Sequence, residues 1–143
     1  MTGLQARSGR ETAGKILLAD DEPVGSEIVS ALLERRGYTV KLVEDGAAIL
    51  EALEFERFDL LLCDISLPDM DGTEVVKIIR SGKRECVDPY IPIIAVTAYS
   101  LPRDRERFLS CGMDKYISKP VDFDELLGLI EETCGKGRVP CCS

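Results

Sequence analysis

Asp20 and Asp21 follow the apolar run KILLA, Asp64 follows LLLC, Thr97 follows IIAV, and Lys119 comes directly after KYIS. Each of these polar side chains closes a stretch short and apolar enough to be a buried strand. Carboxylates, a hydroxyl and an amine are groups that can bind a hard cation, hold an anion and supply an oxygen nucleophile. Histidine is absent from the chain. That removes the commonest general base and the commonest metal ligand, so any chemistry runs on carboxylates, hydroxyls, lysine or thiols.

The elements that must position these groups alternate between β-like and helical patterns. Residues 15–19 predict a first strand, and Pro23 opens a helix at a position where its missing N–H costs nothing. On that helix Val24, Ile28, Ala31, Leu32 and Arg35 fall on one side, and Gly37 stops it. Residues 38–43 predict a second strand. Asp45 then caps a short helix, 47–54, with Leu50 and Leu53 inward. The third strand is 60–63, followed by the turn-rich loop SLPDMDG, where Asp69 and Asp71 read as turn formers, and by a helix with Val75, Ile78 and Ile79 inward. Residues 81–92 are expected to be irregular and too polar for the core. Strand 93–96, a polar helix 101–111 closed by Gly112, strand 115–118 and a last helix with Phe123, Leu126, Leu127, Ile130 and Cys134 inward complete the count.

Five strands alternating with five helices predict an α/β fold of βαβ units, a parallel sheet with helices on both faces, for which the expected order is the flavodoxin-like 2-1-3-4-5 common among five-stranded doubly wound folds. All strand carboxyl ends then share one rim, and strands one and three meet at the switch point where such sheets bind ligands. Asp20, Asp21 and Asp64 converge there. Two like charges about 4 Å apart cost roughly 4 kcal/mol at an intermediate dielectric, so the cluster calls for a cation. Oxygen ligands without histidine or thiolate favour Mg²⁺. With Lys119 and Thr97 on the same rim, the pocket suits a tetrahedral anion beside a carboxylate able to attack phosphorus.

Composition narrows the classes. A length of 143 residues suits one domain. Lysine and arginine number 18 against 26 aspartates and glutamates, for a net charge of −8, which disfavours direct contact with nucleic acid. Residues 1–14 net +1 and residues 135–143 net +2, so 15–134 carry −11. The expected organisation is a polar extension (1–14), one folded domain (15–134) and a flexible tail (135–143), with nothing after Cys134 long enough for an output domain. No apolar run approaches the roughly 20 residues of a membrane span, and no signal peptide is apparent. A cytoplasmic protein with reduced thiols follows, Cys63 being a core residue and Cys141 and Cys142 without a role.

The motifs ILLADDE, LLLCDISLPDMDG, IIAVTA and DKYISKP, in this order and spacing from about Lys15 to Cys134, resemble the receiver domain of two-component response regulators. The stretch TAYSLPRDRERFLSCGMDKYISKP is most similar to receivers of hybrid sensor kinases or single-domain regulators. The resemblance implies that Asp64 accepts a phosphoryl group from a histidine kinase or histidine phosphotransfer protein. Asp20 or Asp21, Asp64 and the backbone carbonyl of Ser66 would hold Mg²⁺. Lys119 would pair with a phosphoryl oxygen, the peptide before Pro120 would be cis, Thr97 beside Ala98 would bond the phosphoryl group, and Tyr116 would turn inward. Ser66 and Tyr99 correspond to positions that tune phosphoryl lifetime. The implied outcome is a switch on the face of helix four, strand five and helix five, acting on an unidentified downstream protein or through a homodimer formed on phosphorylation. It is not a turnover enzyme.

Other readings need other residues. A flavin binder needs hydroxyls and glycine after strand one, where DDEPVG stands, and an aspartate-nucleophile phosphatase needs an aspartate at Ser66. A degenerate receiver that only binds proteins is the remaining alternative. The set Asp20, Asp21, Asp64, Thr97 and Lys119 argues against it.

Overall fold

A computed structural model describes residues 14–98 and 102–135. Residues 1–13, Tyr99, Leu101, the segment after 135 with Cys141 and Cys142, and the side chain of Cys134 lie outside the described residues. Five parallel strands are β1 (Gly14–Ala19), β2 (Tyr38–Val43), β3 (Leu60–Asp64), β4 (Ile93–Thr97) and β5 (Lys115–Ser118). They lie side by side in the order β2-β1-β3-β4-β5, the order expected above. Helices α1 (Pro23–Arg35), α2 (Gly46–Phe55), α3 (Gly72–Arg80), α4 (Pro102–Ser110) and α5 (Phe123–Ile130) alternate with them, and a π turn, Glu131–Gly135, follows α5.

Strand alternation sorts the core into two layers. Leu17, Ala19, Leu61, Cys63, Ile93 and Ala95 face one way, onto Ile49, Leu53, Val75, Val76, Ile79 and Phe108. Ile16, Leu18, Leu60, Leu62, Ile94 and Val96 face the other, onto Leu33, Leu126, Leu127 and Ile130. Every residue of β3 and β4 is buried, as expected of strands covered on both faces. Register matters to the rim: Ala19 pairs with Cys63 and Asp64 with Val96, so Asp20, Asp64 and Thr97 end adjacent strands at nearly one level.

Three expectations are corrected. Helix α1 buries Ser26, Ser30 and Leu33, with Val29 half-buried, and leaves Val24 (72%) and Ile28 (56%) exposed. Two stripes at helical spacing compete on this helix, and the one carrying serines wins. Ser26 can be buried because its hydroxyl donates to the Pro23 carbonyl at 3.2 Å. On α3 Val75 and Ile79 are buried as expected, Val76 joins them, and Ile78 packs against the core only half-covered. The segment 81–92 does reach the core, through Val87 and Ile91. Arg80 makes this affordable: its guanidinium donates to the carbonyls of Pro89 (2.7 Å), Ile91 (2.7 Å) and Gly112 (2.9 Å) and to Asp114 Oδ2 (3.1 Å).

Candidate functional site

The rim at the carboxyl ends of β1, β3, β4 and β5 collects the groups singled out in the sequence. Asp64 is the last residue of β3 and only 3% exposed. Its Oδ1 accepts the Ser66 N–H at 3.0 Å, and its Oδ2 accepts from Lys119 Nζ at 3.0 Å. Asp20 is held after β1 by its own N–H, which donates to the Val43 carbonyl at 3.1 Å, and its Oδ1 accepts the Glu22 N–H at 2.9 Å. Carboxylate oxygens of Asp20, Asp21 and Asp64 lie within 4.8 Å of one another.

Lys119 is aimed by the sheet. Its N–H donates to the Thr97 carbonyl at 2.8 Å, in continuation of the β4–β5 ladder, and the Lys119–Pro120 peptide is cis. From there Nζ stands 3.7 Å from Asp20 Oδ2 and 3.6 Å from Glu22 Oε1. Thr97 is 1% exposed at the end of β4, and Ala98 after it is exposed. Tyr116 sits half-buried on β5, packed against the α2–α3 layer, with the Arg105 guanidinium 5.7 Å from its ring centre. Thus the rim unites Asp20, Asp21, Asp64, Thr97 and Lys119, while Tyr116 stands to one side beneath α4.

The electrostatics describe a crowded acid site with one cation. Burial raises the Asp20 pKa above the ordinary value; the Glu22 N–H and the Lys119 charge work against this, and Asp64 adds to it. For Lys119, burial disfavours the cation, but the hydrogen bond and charge of Asp64, with Asp20 and Glu22, prevail and hold its pKa above the ordinary value. One ammonium cannot neutralise three carboxylates. The donor set is hard oxygen only, which fits a small divalent cation of the Mg²⁺ type.

Glu22 was not among the expected site residues, although it continues the run Asp20-Asp21. Asp71 proves to be the N-cap of α3 in a reciprocal capping box with Glu74. Asp69 does more than form a turn: it accepts the Gly46 N–H at 2.8 Å and the Ala47 N–H at 3.0 Å, at the start of α2. No local pattern announces that bond, since its partners lie more than 20 residues earlier. Beside Asp20, a cleft of about 590 Å³ is lined by Gly25, Ile28, Val29, Lys119, Pro120 and Val121.

The family model for the response regulator receiver domain matches residues 16–131. The chain belongs to the receiver domain family. It is 35% identical over 123 residues to the sensor protein GacS of Pseudomonas syringae pv. syringae, covering 86% of this chain and 14% of that protein. It is 35% identical over 127 residues to the transcription factor SKN7 of Saccharomyces cerevisiae, covering 89% and 20%. The chain thus spans a seventh to a fifth of the length of these relatives. Among solved structures, it is 36% identical to the receiver domain of sensor histidine kinase PA1611 from Pseudomonas aeruginosa PAO1, with a TM-score of 0.77, covering 87% of this chain and 100% of that one; that receiver has a magnesium ion coordinated in its active site cleft. A CheY-like receiver from Methanospirillum hungatei JF-1 is 34% identical, with a TM-score of 0.75 and coverage of 85% and 93%. A receiver domain is a signalling module of two-component systems, and no helix among the described residues is long and apolar enough to cross a membrane.

Proposed function

We propose that this receiver domain takes a phosphoryl group on Asp64 from the phosphohistidine of a histidine kinase or histidine phosphotransfer protein, and passes the change to a downstream protein. The observation that carries the reading is the buried Asp64 carboxylate, bonded to Lys119 at 3.0 Å and clustered with Asp20 and Asp21. In the transfer an Asp64 oxygen attacks phosphorus, a P–O bond forms, and the P–N bond breaks with its electron pair returning to the partner's imidazole. The reactive histidine therefore belongs to the partner, in keeping with its absence from this chain.

Asp20, Asp21, Asp64 and the Ser66 carbonyl would hold Mg²⁺. Bound there, Mg²⁺ would offset the crowded carboxylates and the charge gathering on the transferred group. Lys119 Nζ, already on Asp64 Oδ2, would move its hydrogen bond to an oxygen of the new phosphoryl group. Thr97 and the Ala98 N–H would bond the same group from β4, and Tyr116 would turn inward, altering the face of α4, β5 and α5. That face is the surface for the downstream partner or for a second copy on phosphorylation. The exposed Val24 and Ile28, with Pro120 and Val121 across the cleft, would receive the donor. Water releases the phosphoryl group in a step the same residues assist, so the chain switches without turning over a separate substrate. The unit 15–134 acts in the cytoplasm, where a phosphohistidine donor is found.

Beryllofluoride with Mg²⁺, followed by ¹⁹F NMR, tests this directly. The wild-type chain is expected to give a bound fluoride signal that Asp64→Asn lacks. Identical spectra without bound fluoride would instead support a protein-binding module that works without phosphorylation.

A further inference from the structure

The first turn of α2 has all four of its amides paired, and the partners divide in an unusual way. Asp45, the N-cap, serves the two later ones: its Oδ1 accepts the Ala48 N–H at 2.8 Å and its carbonyl accepts the Ile49 N–H at 3.1 Å. The two earlier ones, on Gly46 and Ala47, go to the two oxygens of Asp69. A carboxylate at the positive end of a helix, accepting two amides at once, is a strong and directional attachment. Those bonds also hold the Asp69 pKa below the usual carboxylate range.

The neighbouring contacts leave this attachment little play. A Cβ on Gly46 would stand 2.6 Å from Met70 Cγ and 2.9 Å from Val75 Cγ2, so Met70 sits directly against the start of α2. At its base the same loop is closed by the Gly72 N–H to the Ile65 carbonyl at 2.8 Å and by a bridge between Ser66 and Asp71. The loop from Ile65 to Asp71 is therefore fastened at its stem to β3 and at its tip to α2. Ser66 belongs to the stem fastening, through its bridge to Asp71, and stands three residues from the Asp69 tip.

We infer that Asp69 is a positioning residue for the acceptor site: by tying the loop tip to α2 it fixes the backbone at Ser66 in the orientation that metal binding requires. The inference rests on the Mg²⁺-dependent reading of Asp64 given above. Asp69 is outside the cluster of Asp20, Asp21 and Asp64. Its effect passes through the loop backbone, as outer partners of metal ligands commonly act.

Mg²⁺ titration by calorimetry on the full chain, with the folded fraction followed by circular dichroism, tests the assignment. Asp69→Ala is expected to bind Mg²⁺ about tenfold more weakly than wild type, and Asp69→Asn, which keeps one acceptor oxygen, to recover part of that loss. Ala47→Pro removes one of the two donors within the first turn, where no hydrogen bond of the helix itself is lost. It should weaken Mg²⁺ less than Asp69→Ala does and should add nothing to it in the double variant. Wild-type affinity in Asp69→Ala would overturn the inference, as would a loss wholly accounted for by a smaller folded fraction. A wild-type chain that binds no Mg²⁺ would instead overturn the reading of the site itself, and the inference with it.

Discussion

A Cβ on Gly72 would stand 2.7 Å from the carbonyl oxygen of Asp64 and 2.9 Å from Ile65 Cα, because the first residue of α3 packs on the very end of β3. Backbone on both sides cannot yield as a flexible side chain would. Gly72→Ala should cost about 1–3 kcal/mol, as overpacking generally does, measured by urea unfolding. It should also weaken the beryllofluoride response, since the displaced atoms belong to the acceptor and its neighbour. A stable variant with wild-type response would show that the loop gives way there freely.

Crowding of the acids has a thermodynamic sign. Because Asp20 has a raised pKa in the fold, the folded chain holds its proton more tightly than the unfolded chain does. Stability from this group is greatest below the ordinary carboxylate pKa of 3.8 and is lost as pH rises through the folded value. Asp20→Asn should therefore melt roughly 3 °C higher than wild type at pH 7, with the gap closing toward pH 3. Mg²⁺ should raise the melting temperature of the wild type and do little for the variant. A variant that melts lower at pH 7 would contradict this account of the site.

Arg80 holds three carbonyls and a carboxylate, and its side chain is only 21% exposed. Arg80→Met keeps the apolar stem but takes the guanidinium away from the three carbonyls, while Asp114 Oδ2 still accepts the Ile93 N–H at 2.8 Å. The expected loss is about 3 kcal/mol, seen as a lower urea midpoint. Arg80→Lys should recover less than half, because one ammonium cannot reach carbonyls on both sides.

Thiol chemistry should separate two cysteines. Burial pushes the Cys63 thiol far above its ordinary pKa, with the Asp64 and Asp71 charges adding to the effect, whereas Cys86 is exposed. Iodoacetamide on the native chain at pH 8 should label Cys86 and leave Cys63 unmodified until denaturant is added, as peptide mass mapping would show. Because the shift is upward, raising the pH to 9 should not expose Cys63 to the reagent.

What could be read ahead of the structure was what local pattern encodes. Runs such as LLLC and IIAV are continuous because both faces of β3 and β4 are covered, and each ends at a rim residue, so Asp64 and Thr97 were visible from spacing alone. Asp20, Asp21 and Lys119 follow from the same parallel topology. Two of the misreadings turn on polar groups that find partners: the Ser26 hydroxyl bonds within its own first turn, and Arg80 reaches carbonyls well beyond its helix. Ser26 and Ser30 are buried on α1 where an apolar stripe was available, and Val87 and Ile91 enter the core because Arg80 holds the backbone around them. Asp69 looks like any turn residue until α2 is folded against it.

All four acceptors of Arg80 lie later in the chain, at residues 89, 91, 112 and 114. A chain made from its amino terminus therefore completes α3 with a guanidinium still in water. The half of the sheet beyond β3 acquires this fastening only when Asp114 has been made. The grip is thus one of timing as well as strength: a product that stops short of Gly112 keeps the Arg80 bonds at residues 89 and 91 and lacks those at 112 and 114.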